Sequence, residues 1–394
     1  MERDKAPEEG NAGMRGTACL AFSLAVALTF FSCGRREPRV DRTTEDGVEV
    51  VINHVKPYLI KGEPSTFSLE QALVIDTERA DLAAAGLGSA GEWDADEDGN
   101  IYVVGFKNEQ NFIFRFDREG RLTRSFGRRG QGPGELQWPF LSGVTPNGEI
   151  ALDDQGQKFI VYDPNGVTFR ELKLRGLAYY VDPLPNGKYV VFGSGSSLST
   201  NTRYVDLLTL CDREFEELKV LDRYERSPDP GRQVPFFMWR VSGGRIFIAN
   251  QTRGYEIWVY DFDGRLVRKI RKEFRPVGVT EEIKAAILGP DYRRSGISQD
   301  KYFSNPLPPL NQFFADDEGR IFVMTYEPGP NKGEYIWDIF DPAGVFVGRK
   351  ALNMFWAGMY AGPRYTFVKK GRLYCHQEKE SGYHQLVAYK MIWR

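Results

Sequence analysis

The residues that could do chemistry in this chain are few and scattered. Asp94-Ala95-Asp96-Glu97-Asp98-Gly99 begins like a calcium loop, with carboxylates at alternate positions and a glycine for the turn. An EF-hand also needs flanking helices and a bidentate Glu at the twelfth position. That position is Gly105 and no helical pattern flanks it, so the residues favour an Asp-rich polar turn, with calcium at Asp94, Asp96 and Asp98 as the alternative. The glycine run from Gly127 to Gly134 could cradle a phosphate, but it lacks the Lys-Ser/Thr ending and opens no helix, so it reads as a connecting loop. The chain has three histidines, His54, His376 and His384, too few for a His-rich metal site. His376 and His384 flank one loop and could approach each other; two loop histidines near solvent is the favoured reading. Gly193-Ser194-Gly195-Ser196-Ser197 lacks the spacing of a nucleophile elbow. No catalytic residue, resident metal or cofactor is expected from these patterns.

Cys33 is different. Residues 17–32 (TACLAFSLAVALTFFS) are apolar and uncharged. The run is short for a transmembrane helix, which needs about 20 apolar residues, and it fits the core of a secretory signal. Small Ser32 before Cys33, with Phe30 and Phe31 ahead of it, resembles the lipobox of bacterial lipoproteins. The resemblance implies that the Cys33 thiol receives diacylglycerol, that the signal peptide (residues 1–32) is removed, and that two or three acyl chains then hold the protein stably. An ordinary signal peptide with a chance cysteine is the alternative. Residues 1–13 are acidic, which suits no signal peptide, whereas Met14-Arg15 starts a normal one, so translation is expected to start at Met14. Residues 33–47, the lipidated Cys and a polar stretch, read as a flexible tether. Residues 48–52 read as an extra strand against the folded body.

The rest of the chain is organised by a repeat. A Gly-containing turn precedes an apolar strand, then come a loop, a second apolar strand ending in Asp, and another Gly turn. The first copy holds Asp98-Gly99-Asn100-Ile101-Tyr102-Val103, then Phe112 to Asp117, then Glu119-Gly120-Arg121-Leu122. Further copies begin at Pro146-Asn147-Gly148, Pro185-Asn186-Gly187, Gly243-Gly244, Asp317-Glu318-Gly319 and Lys370-Gly371. Such turn residues supply the positive φ of tight hairpins, and the β-branched and aromatic strands between them suit stacked sheets. Four-stranded units repeated radially make a β-propeller. The fold expected over residues 48–394 is therefore all-β, a six-bladed β-propeller with four-stranded antiparallel blades. The sixth copy ends at the chain terminus one outer strand short, so residues 67–75 are expected to complete it beside Leu386 to Tyr389. Cys211 and Cys375 fall on non-adjacent blades, beyond bridging distance, and are expected to be two small buried thiols. Residues 280–288 read as a short helix with a Thr280 cap.

A net charge of -2, with Lys and Arg mixed among Asp and Glu, gives no basic stripe for nucleic acid. The strings Asp-Gly-Asn-Ile-Tyr-Val, Phe-Asp-Arg-Glu-Gly-Arg-Leu, and Phe126-Gly127-Arg128-Arg129-Gly130-Gln131-Gly132-Pro133-Gly134-Glu135 resemble the NHL-type six-bladed propeller lipoproteins of bacterial envelopes. The resemblance covers most of the chain from about Val48 on, and implies fold and export without a reaction. Location in the cell envelope, lipid-anchored at the outer membrane, is the corresponding expectation.

Two functional readings follow. In the first, the protein is a binding or scaffolding lipoprotein. The connections between strands two and three, and between blades, share one face of the ring, and every long loop falls there. That face gathers Arg128, Arg129, Trp138, Tyr292, Arg293, Trp356 and Tyr360, types that often anchor partners, with a protein, peptide or glycan as the expected ligand. In the second, the protein is a metal-dependent hydrolase or lyase using the central channel, with Asp154, Asn250 and Asn311 as candidate ligands. A sensor or accessory role beside an envelope transport complex is a third, weaker reading.

Overall fold

Each repeat becomes one blade. The computed structural model describes residues 40–105, 110–145, 147–155, 157–173, 177–194, 205–225, 237–281, 283–284, 306–353, 366–379, 381 and 383–394. Among these, blade 1 runs from the inner strand outward as Ala90–Ala95, Ile101–Gly105, Asn111–Phe116 and Leu122–Arg128. Blade 2 is Pro139–Val144, Ile150–Asp154, Lys158–Tyr162 and Phe169–Leu172, and blade 3 is Leu177–Pro183, Tyr189–Ser194, Val205–Cys211 and Glu217–Glu225. Blade 4 is Phe237–Ser242, Arg245–Asn250, Glu256–Tyr260 and Leu266–Lys272, and blade 5 is Gln312–Ala315, Ile321–Pro328, Tyr335–Phe340 and Phe346–Leu352. Blade 6 is Thr366–Lys369, Arg372–Glu378 and His384–Trp393, closed on its outer edge by Phe67–Asp76. The expected closure is present, with Leu386 opposite Ile75 and Val387 opposite Val74.

The Asp that ends the third strand of most copies now has a physical reason. Asp117 Oδ1 accepts the backbone N–H groups of Glu119 and Arg121 at 3.1 and 2.9 Å. Asp212 and Asp261 repeat this bond for bond two and four residues on. The carboxylate satisfies the turn amides that no strand pairs. Asp316 does the same in the inner turn of blade 5.

Blades stack through their apolar faces. Phe314, Phe322, Trp337, Leu373 and Cys375 fill the space between blades 5 and 6, where Phe67 of the closing strand joins them. Trp93 lies fully buried between blades 6 and 1, edge-on to Tyr374 at 5.4 Å. Cys211 and Cys375 are free and buried, as expected, and burial pushes the Cys211 thiol up to about 11.

The N-terminal region departs from the tether reading. Residues 41–45 form a strand, Asp41–Glu45, that pairs with Val48–Asn53, and Val48–Asn53 adds in parallel to the outer strand of blade 4. The polar sequence folds because charge compensates it. Glu45 meets Arg271 at 2.8 Å and Lys269 at 3.1 Å, and these cations hold its carboxyl down at about 2. The chain then passes outside blade 5, where Asn53 Nδ2 donates to Gly344 O at 2.9 Å and Asn53 Oδ1 accepts from Phe346 N–H at 2.8 Å, and enters blade 6 as the closing strand. Residues 40–76 thus strap blades 4, 5 and 6 together. Thr280 caps as expected, its Oγ1 accepting from Ile283 N–H at 3.2 Å, and residues 285–288 lie outside the described residues. Cys33, Met14 and the signal peptide lie outside them too.

Strand order divides the connections as expected. One end of the ring carries the tight turns, such as residues 96–100, 117–121 and 316–320, and the other carries the longer connection 129–138.

Candidate functional site

The concave site lies at the ring axis, toward the tight-turn end. The last residues of all six inner strands enclose a cavity of about 210 Å³. Blade 1 contributes Asp94, blade 2 Val144, blade 3 Asp182, blade 4 Trp239 and Arg240, blade 5 Phe314, and blade 6 Phe367 and Lys369. The following turns supply its rim, with Glu97, Gly244 and Asp317.

The polar groups around the cavity also pin blade to blade. Asp94 Oδ2 accepts the Val144 N–H at 2.9 Å, and Glu92 Oε2 accepts the Leu141 N–H at 2.7 Å, fixing blade 1 to blade 2. The Trp239 indole N–H donates to Asp182 Oδ2 at 2.5 Å, from blade 4 to blade 3. Ser242 Oγ donates to Asp316 O at 3.0 Å, and Lys370 N–H to Asp317 Oδ2 at 2.5 Å. Lys370 Nζ meets Glu97 at 2.7 Å, joining blade 6 to blade 1 and holding the Glu97 carboxyl below the usual range. Arg240 reaches over the Phe313 ring at 5.6 Å. Aromatic faces, carboxylates and cations therefore line one small concavity, the composition of a site that orients a small polar ligand.

Most candidates named from the sequence stand elsewhere. The Asp94–Asp98 turn is internally bonded: Asp96 Oδ1 accepts the N–H groups of Asp98 and Asn100 at 3.0 and 2.8 Å, and Oδ2 accepts Asn100 Nδ2 and the Tyr102 hydroxyl. Among the described residues no group of three or more His, Cys, Asp or Glu is placed to hold a metal. Asp154 and Asn250 end second strands and do not line the axial cavity. Asp154 accepts the N–H groups of Gln137 and Trp138 at 3.0 and 2.6 Å, and Asn250 Oδ1 accepts from Thr252. Asn311 directly precedes an inner strand, and its N–H donates to Met324 O at 2.8 Å. These three do not form one ligand set. His376 and His384 do approach, with ring centroids 4.6 Å apart. His376 is not near solvent: it is 3% exposed, and burial, with His384 beside it, lowers its pKa to about 3.

On the long-loop face, Arg128 is turned into its own loop. Its guanidinium Nε meets Glu135 Oε1 at 3.1 Å, while Glu135 Oε2 accepts the Gly132 N–H at 2.9 Å. Gly134 N–H donates to Glu171 Oε1 at 2.6 Å, and the Tyr162 hydroxyl to Gly134 O at 2.5 Å. The glycine run is thus the inter-blade loop it was read as, and the Arg128 guanidinium pairs with Glu135 while its side chain stays 75% exposed. Arg129 lies over the Phe112 ring at 6.0 Å, and the Trp138 indole stays 47% exposed. Tyr292, Arg293, Trp356 and Tyr360 lie outside the described residues.

The sequence reading missed Asp182, Trp239, Arg240, Phe367 and Lys369. They sit on inner strands, whereas the repeat was recognised through the second and third. Their available signal was position, the few residues before each Gly turn.

A second polar cluster lies between blades 4 and 5. Asp338, fully buried, accepts the Tyr255 hydroxyl at 2.8 Å and Arg349 Nε at 2.8 Å, and the Lys272 ammonium stands 3.3 Å away. Burial pushes the Lys272 amine down. The adjoining cavity, about 10 Å³, has room for little more than one water.

A family model agrees on the architecture. The model of the DUF5128 family, described as a 6-bladed beta-propeller, matches residues 95–229, which span blades 1 to 3. No curated protein matches. A candidate exported protein of Bacteroides fragilis is similar over 87% of this chain and 99% of its own, at 12% identity and a TM-score of 0.45. A DUF4221 family member from Bacteroides vulgatus is similar over 84% and 99%, at 13% identity and 0.46. The Cps50 (Swd1) β-propeller domain of Myceliophteria thermophila is similar over 82% and 99%, at 11% and 0.39.

Proposed function

We propose that this six-bladed propeller is an exported, lipid-anchored binding protein of the bacterial cell envelope, and that its ligand is a small polar molecule or chain end held in the axial cavity. The convergence of all six inner strands on one mixed aromatic and charged concavity carries this reading. Rigid strands position the lining side chains, and inter-blade hydrogen bonds fix them, so the site is preorganised. The test is a metabolite screen by thermal shift. A ligand should raise the melting temperature of the wild type and lose most of that effect in Thr366→Trp, which places an indole in the cavity. Equal shifts in both proteins would place the ligand elsewhere. Fatty-acid labelling of wild type but not of Cys33→Ser supports the anchor; label on the variant rejects it.

The exposed Trp138 indole favours a second reading, a macromolecular partner on the long-loop face. Trp138→Ala should then abolish capture of that partner while leaving the melting temperature near wild type.

A further inference from the structure

Where the strap crosses blade 5, it makes a tight turn at Ile60–Glu63. Tyr58 N–H donates to Phe346 O at 2.7 Å before the turn, and after it Ser65 O lies so close to Gly348 that a Cβ there would be 2.1 Å away. Glu63 N–H closes the turn on Ile60 O at 3.1 Å, with Gly62 at φ +86. Ile60 packs inward against the blade 5–6 core. Before it, Leu59 is 65% exposed and Tyr58 39%. Lys56 and Lys61 flank them, both exposed, and neither makes an ion pair among the described residues. A single exposed apolar residue is ordinary. An exposed, adjacent Tyr and Leu between two exposed lysines, in the segment leading into this turn, match the chemistry of a bilayer interface, where Leu enters the acyl region, Tyr sits at headgroup level and Lys meets phosphate.

The chain that would carry the lipid enters the fold close by. Seven residues, 34–40, separate Cys33 from the strand Asp41–Glu45, a reach of at most about 25 Å. His54 Nε2 lies 3.0 Å from Asp41 Oδ2, and Tyr58 follows four residues later, within about 14 Å of chain. We propose that the segment from Lys56 to Lys61 docks on an anionic phospholipid bilayer, the one to which Cys33 is attached, and seats the propeller edge-on. This rests on the lipid-anchor reading. With the rim of blades 4 and 5 against the bilayer, the ring axis runs along the membrane plane. Both mouths of the ring, including the axial cavity, then stay open to solvent.

The test removes the anchor from the measurement. Residues 34–394 contain the whole compact unit, which spans 38–394. This protein is floated at low ionic strength with vesicles of equal parts phosphatidylglycerol and phosphatidylethanolamine, and with neutral phosphatidylcholine vesicles. The wild type should float with the anionic vesicles alone. Leu59→Asp should lower its partition coefficient about tenfold, the order expected for losing a buried leucine. Val167→Asp should leave partition unchanged, since Val167 is equally exposed, at 66%, but lies on blade 2. No flotation of the wild type, equal flotation of Leu59→Asp, or equal loss in Val167→Asp would each overturn the proposal. Failure of the anchor reads out separately, as absence of fatty-acid label on the full chain.

Discussion

Mild acid should weaken this fold at His376. The ring is 3% exposed, and its pKa in the folded protein is lowered to about 3 by burial and by His384 beside it. In the unfolded chain it takes the ordinary value of about 6.5. Between those values the unfolded state binds a proton that the folded state refuses. Stability at His376 is therefore full above about pH 7, falls as pH drops below 6.5, and stops falling near pH 3. At pH 5 the chain is about one and a half units below the unfolded value, so the penalty is about 2 kcal/mol. His376→Phe keeps a ring of similar shape without the titration. Urea unfolding at pH 7 and pH 5 should show wild type losing about 2 kcal/mol more than the variant over that interval. Other titrating groups are common to both proteins, so the double difference isolates this ring. Parallel losses in wild type and His376→Phe would refute the reasoning.

Three further outcomes follow from the packing. Deleting residues 34–76 should strip the outer strand from blade 6 and the strap from blades 4 and 5, and light scattering should show aggregation through the exposed edge; a soluble, fully stable truncation would contradict the closure. Gly166→Ala should cost more than 2 kcal/mol in chemical unfolding, because the new Cβ would lie 2.2 Å from the Phe126 ring at φ +66, whereas Gly187→Ala, with φ +79 and open space, should cost about 1 kcal/mol. Asp338→Asn should destabilise by about 3–5 kcal/mol, because it leaves the Lys272 and Arg349 cations facing a buried neutral amide; a change under 1 kcal/mol would contradict the buried-charge reading of this cluster.

The ring was legible in the sequence because its signals are local. Asn-Gly, Gly-Gly and Asp-x-x-Gly turns recur at blade spacing, and each terminal Asp satisfies amides within four residues of itself. The closing strand was legible by counting, since the sixth copy lacked an outer partner. The hairpin at residues 41–53 was legible only in its second strand, read from the β-branched run at 48–52. Its first strand, DRTTE, has no apolar alternation, and it is held by Glu45 bonding to Arg271 across more than two hundred residues. No local pattern reports such a pair.

The axial cavity was hidden for a related reason. Its residues share no motif, because each comes from a different blade and meets the others only when the ring closes. Asp94 and Asp182 stand at the ends of their own inner strands, yet each carboxylate is committed to the blade that follows it, through Val144 N–H and the Trp239 indole. The same side chains therefore hold the ring shut and set the polarity of its centre. Long loops and exposed Arg and Trp draw attention in a linear reading because loops usually carry function. Here Arg128 closes its own loop on Glu135, and the concavity with converging charge lies beneath the short turns. Radial folds make this outcome natural. Their inner strands must approach one another whatever the loops do, so the axis gathers side chains that have no proximity in sequence.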